Sequence, residues 1–102
     1  MKIPATLKIG GHEVKVKRVQ RIEGGTLMAQ VNVSMNTILI AKQIDGSAML
    51  PESMVAEGLL HEIIHYILLQ NGYGVAEKMV TSLASGLFQV IRENNLQFGR
   101  IK

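Results

Sequence analysis

Two histidines and a glutamate in the run LHEIIHYI could hold a metal ion and use it for hydrolysis. His61 and His65 are four residues apart, so on a helix both imidazoles leave one face about one turn apart and can share a tetrahedral ion. Glu62 falls about 100° round the helix from His61, too far round to join easily as a ligand. It is near enough to take a proton from a water that the ion has acidified. This is the HExxH arrangement, with two nitrogen ligands and a general base. The plainer alternative is a pair of hydrogen-bonded core histidines with Glu62 exposed. Against it, unpartnered imidazoles and a carboxylate are costly to desolvate in a helix as apolar as this one.

A catalytic zinc site takes a third protein ligand. In the second helical pattern, with Glu77 set at 0°, Val80, Ala84, Phe88 and Ile91 fall within about 60° of it. Lys78, Ser82, Ser85, Gln89 and Arg92 lie on the other side. Glu77 therefore stands at the margin of the apolar face, where a carboxylate needs a cation or donors, and Zn2+ brought by the preceding helix would supply one. It could instead be a first-turn carboxylate favoured by the helix dipole, or an exposed partner of Lys78. Glu57, one turn before His61, could ligate, accept a hydrogen bond from a ligand, or be solvated. Glu93 is at the far end of its helix, and His12 beside a turn reads as exposed. Iron, cobalt or nickel would also accept two nitrogens and a carboxylate, so zinc is an inference from the donor set.

The elements that must position these groups change period near residue 45. Before it the chain reads as sheet. Gly10-Gly11 separates two alternating runs, as a tight hairpin requires, and Gly24-Gly25 repeats the device. In LMAQVNV, Leu27, Ala29, Val31 and Val33 alternate with Met28, Gln30 and Asn32, and TILIA is fit for a fourth strand. Together these predict a twisted antiparallel meander with one covered face. After residue 45 come two helices, over about 51–71 and 75–95. Pro51 suits the first turn of the former, and Asn71-Gly72 its stop. Leucines and isoleucines at 59, 60, 63, 64, 67 and 68 cover most of its circumference, which predicts a buried helix between the sheet and its successor. The expected fold class is α+β, a single domain over 1–102 with its sheet in 1–45.

With 102 residues and 47% apolar content, the chain suits one small core. It has no cysteine, which removes disulfides and thiolate ligands and agrees with a reducing compartment. No secretory h-region or membrane-length apolar run occurs, so a cytoplasmic protein without a membrane partner is expected. The charge of +3 reflects the cluster KVKRVQR. Its Lys15 and Lys17 alternate with Val14, Val16 and Val19 as a solvated strand face would. With only two Tyr and two Phe, the chain also lacks the stacking platforms of single-strand binders. A nucleic-acid partner is therefore not expected. The six methionines are scattered and read as core filling.

LLHEIIHYI, a glycine-containing turn, and then EKMVTSLASGLFQVIRENN resemble the small gluzincin-type metallopeptidases of the minigluzincin and ImmA/IrrE-like group, many of them from phages and mobile elements. The resemblance covers roughly residues 50–96, with NTILIA more loosely similar to the family strand along the cleft. It implies a minimal zincin-like domain with His61, His65 and Glu77 as zinc ligands and Glu62 as general base. A peptide or protein substrate would pair in extended form along the sheet edge at TILIA. Two departures stand out. The large additional subdomain of full-sized gluzincins is missing, and so is a clearly placed oxyanion donor. Tyr73, in the inter-helix turn, is the best candidate by position, while Tyr66 reads as structural. The alternative function is a non-catalytic, zinc-stabilised interaction module of phage or prophage origin, since metal binding can supply folding free energy in a chain this small. The oligomeric state is not legible.

Overall fold

The computed structural model describes residues 3–25, 27–44 and 49–96, so the two ends of the 1–102 domain assignment lie outside the described residues. The fold is α+β, a four-stranded mixed sheet followed by two helices. Strands β1 (Thr6–Ile9) and β2 (His12–Val19) form the predicted hairpin, with Ile9 opposite His12. Gly10 and Gly11 take φ of 56° and 83° in its two-residue turn, a conformation that side chains resist. Strands β3 (Ala29–Asn32) and β4 (Thr37–Ala41) make a second antiparallel pair.

The predicted meander does not form, because the sheet order is β1-β2-β4-β3 and β2 runs parallel to β4. Around Gly24-Gly25 the chain does reverse, through a 3-10 turn at Glu23–Gly25 closed by a bridge between Ile22 and Leu27. The strands on either side of that turn are nevertheless not neighbours, because β4 lies between them. Burial accounts for the order: Ile38 and Ile40 of β4 are fully buried, and a central position covers the strand on both flanks. TILIA is therefore an interior strand, and the open edge on that side of the sheet belongs to β3.

Helix α1 (Glu52–Gln70) starts where Pro51 ends the extended chain, with the Pro51 carbonyl accepting the N–H groups of Met54 and Val55. It ends at Asn71, whose side chain donates to the Ile67 carbonyl at 2.8 Å, and Gly72 then takes φ of 80°. Val55, Leu59 and Tyr66 of α1 join Ile9, Val14, Val16, Ile38 and Ile40 in the core. Ala29, Val31 and Val33 pack against it, on the phase that the alternation predicts. Helix α2 (Glu77–Glu93) packs on the opposite side of α1 through buried Val80 and Ala84. As predicted, α1 lies between sheet and α2, but it is not encased. Ile67 and Leu69 are exposed, because two small layers do not surround a helix. No helix among the described residues is long and apolar enough to cross a membrane.

Candidate metal centre

His61 and His65 leave α1 from one face, their ring centroids 4.8 Å apart, and Glu77 meets them from the first turn of α2. His61 Nε2 lies 2.5 Å from Glu77 Oε1, and His65 Nε2 lies 2.8 Å from Glu77 Oε2. One ligand atom from each of the three residues falls within 4.8 Å of the others, the grouping a metal ion needs. With bonds of about 2.0–2.1 Å, tetrahedral ligand atoms stand about 3.3 Å apart. The contacts here are shorter because the carboxylate accepts hydrogen bonds from both rings, so seating an ion asks Glu77 to retreat by about 0.5–0.8 Å and both Nε2 atoms to give up their protons. Glu77 is 69% exposed and on a helix margin, which leaves it free to make that movement. The donor set of two imidazoles and one carboxylate fits zinc and leaves a fourth position open.

Glu62 is a buried carboxylate, 7% exposed, with Oε2 3.9 Å from His61 Nε2. It accepts a hydrogen bond from the Val31 backbone N–H of β3. That bond follows from strand register. The Met28 carbonyl accepts the Ala41 N–H at 2.8 Å, so by alternation Gln30 and Asn32 address β4 while Ala29 and Val31 turn their backbone groups to the open edge. Burial pushes the Glu62 carboxyl above its ordinary range, against the pull of the His61 and His65 charges, with Glu77 adding to the rise and the Val31 N–H opposing it. For Glu77 desolvation also works upward. The hydrogen bond with His65 and the charges of both imidazoles outweigh it and hold this carboxyl below the usual range. Two neighbouring carboxylates are thus driven apart, one toward holding a proton and the other toward giving it up.

A hollow of about 200 Å³ opens beside these groups, lined by Leu27, Met28, Ala29, Gly58, His61, Glu62 and Glu77. Tyr73 does not line it and stands 62% exposed in the turn before α2. Tyr66 is structural, as read: it is fully buried, donates to Asn36 Oδ1 at 2.5 Å and accepts from Gln70 Nε2 at 3.0 Å. Glu57 lines a neighbouring hollow and is not among the three clustered ligands. Glu93 accepts from Gln89, and His12 is exposed with its ring edge-on to Tyr66. The sequence reading missed the Val31 N–H and the β3 residues along the hollow. The alternation of LMAQVNV carries their phase but not the fact that this strand forms the edge. No protein-family model matches the chain, and neither curated proteins nor solved structures show a significant match to it.

Proposed function

We propose that the protein is a minimal metallopeptidase that hydrolyses peptide bonds with a zinc ion held by His61, His65 and Glu77. The observation that carries this reading is the meeting of those three side chains from two helices, with a buried carboxylate directly beside them. A bound ion supplies the Lewis acid that acidifies water and polarises a carbonyl oxygen. Glu62 would then accept a proton from water and pass it to the leaving amine, a task for which its place beside the candidate ligands suits it. The Val31 N–H fixes the orientation of that carboxylate. The outward backbone groups of β3 offer an extended peptide a strand to pair with, in place of the TILIA edge that the sequence suggested. Peptides or protein segments of the cytoplasm are the substrate class this implies, and the resemblance to minigluzincin and ImmA/IrrE-like peptidases supports it.

The test is cleavage of denatured protein substrates by zinc-loaded protein. Chelator-sensitive cleavage that disappears in Glu62→Gln while zinc is retained supports the reading; cleavage that survives the substitution sinks it. One observation favours a non-catalytic, zinc-stabilised module instead: Tyr73, the expected oxyanion donor, does not line the hollow. That second reading expects zinc to raise the melting temperature and Glu62→Gln to leave cellular function intact.

A further inference from the structure

A second hollow, of about 150 Å³, lies toward the start of α1 and is lined by Met28, Ser53, Met54, Glu57, Phe88 and Arg92. Met28 lines this hollow and the one beside His61 and Glu62. Its methyl group sits 3.1 Å from where a Cβ on Gly58 would be, so the thioether end is the partition between them. The two hollows therefore adjoin at Met28, and the farther one is bordered by an exposed cation, Arg92. The Arg92 guanidinium stacks over the Phe88 ring, 5.1 Å from its centroid, and among the described residues no carboxylate forms an ion pair with it. The contact with the ring biases the exposed guanidinium toward the wall of the hollow and leaves its edge donors open, and that planar fork matches a carboxylate. Ser53 adds a hydroxyl to the same hollow.

We propose that Arg92 is a specificity-determining residue of this cleft, which takes peptides bearing a carboxylate a short distance from the scissile bond. The inference rests on the peptidase reading. Glu57 and Ser53 precede His61 by one and two turns, about 6 and 12 Å along the helix axis. An extended chain advances about 3.3 Å per residue, so the carboxylate belongs about two to four residues from the bond. An acidic side chain and a peptide C-terminus share this chemistry. Glu57 lines the same hollow without pairing with Arg92, so its negative charge opposes an acidic ligand and its loss tightens binding of one.

The experiment titrates zinc-loaded Glu62→Gln protein with alanine-based nonapeptides carrying one Asp at successive positions, each with a free or an amidated C-terminus and with Asn in place of Asp as control. Wild-type protein is assayed for cleavage of the same set. At the matching position the acidic peptides bind at least about tenfold tighter than the neutral ones, a factor worth about 1.4 kcal/mol. Arg92→Gln brings the two to parity, Arg92→Lys keeps part of the difference, and Glu57→Gln widens it. Loss of the preference on amidation assigns the terminal carboxylate; loss on exchanging Asp for Asn assigns the side chain. Equal binding of acidic and neutral peptides, or a preference that survives Arg92→Gln, overturns the role of Arg92 even where cleavage is found. Acid-dependent binding with no cleavage by the wild type overturns the peptidase reading alone, and absence of both overturns the two together.

Discussion

Gly58→Ala tests whether the partition between the two hollows is movable. Gly58 lies inside α1, where alanine is favoured by about 0.8–1.0 kcal/mol, and its site is buried, where a new methyl adds about 0.8 kcal/mol. Against this, the added Cβ would stand 3.1 Å from the Met28 methyl and an ordinary 4.0 Å from the Ala29 Cβ. Opening the first contact by a few tenths of an ångström asks Met28 to turn away from its rotamer minimum, a cost of about 0.5–1.5 kcal/mol. Methionine has three rotatable bonds, and Met28 borders a hollow on either side, so it has both the freedom and the room. The balance is a net gain of about 0.1–1.3 kcal/mol, whose midpoint of about 0.7 kcal/mol reads as a melting temperature raised by about 3–6 °C in a domain of this size. Calorimetry on the metal-free protein measures it, with Met28→Ala and the double variant completing a thermodynamic cycle. In the Met28→Ala background the same glycine replacement is expected to stabilise more, by the cost of the methionine shift. A lowered melting temperature in the single variant, or a cycle without coupling, would refute the argument that a mobile Met28 separates the hollows.

Replacing Glu77 with Ala removes one of the three proposed ligands, so zinc per chain, measured by plasma mass spectrometry, is expected to fall well below the one ion expected of the wild type; equal content in both would exclude Glu77 as a ligand. Tyr66→Phe deletes a fully buried hydroxyl that bonds Asn36 and Gln70 and is expected to cost about 1–2 kcal/mol, seen as a lower urea midpoint. An unchanged midpoint would show that this hydroxyl does not tie α1 to the β3–β4 turn. In the metal-free protein, Glu62→Gln is stabilising at neutral pH, because burial disfavours the ionised carboxylate. Since the folded-state pKa lies above the ordinary 4.5, the gap between variant and wild type is full above that raised value. It closes as the pH falls through it toward 4.5, when the native carboxyl takes up its proton. Thermal melts across that window check it, and a gap that widens toward acid would contradict the direction of the shift.

The clustering of His61, His65 and Glu77 was legible because it depends on spacing within helices. A spacing of four positions from His61 to His65 fixes a shared face whatever the rest of the chain does, and the angular position of Glu77 follows from its own helix. The Gly10-Gly11 hairpin was legible for the same reason, since the turn needs positive φ at adjacent positions and only the two glycines satisfy that without strain. Strand order was not. TILIA and LMAQVNV each announce a strand, but whether β4 lies beside β2 depends on which strand gains more from being covered on both flanks, a comparison between distant segments. The extent of the contact between α1 and α2 was not legible either. Ile91 belongs to the face turned toward α1 yet remains exposed, as do Leu83 and Leu87, because the wheel gives direction and says nothing of how far the partner helix extends.

That misplaced strand matters for the site more than for the fold. With TILIA at the edge, the groups facing a bound peptide would have been those of β4, whose Ile38 and Ile40 side chains are committed to the core. With β3 at the edge, the strand that could receive a peptide is the one whose Val31 N–H already holds Glu62. One outward donor is therefore occupied, and on the peptidase reading a peptide has the backbone N–H and carbonyl of Ala29 and the carbonyl of Val31 left to pair with. Such a short ladder supplies few hydrogen bonds of its own, each worth about 1 kcal/mol net. Binding must then draw on the hollows along α1, one apolar in most of its lining and the other carrying Arg92. The same N–H that limits the ladder fixes the Glu62 carboxylate against the strand, so any shift of β3 on peptide pairing would be transmitted directly to the proposed proton acceptor.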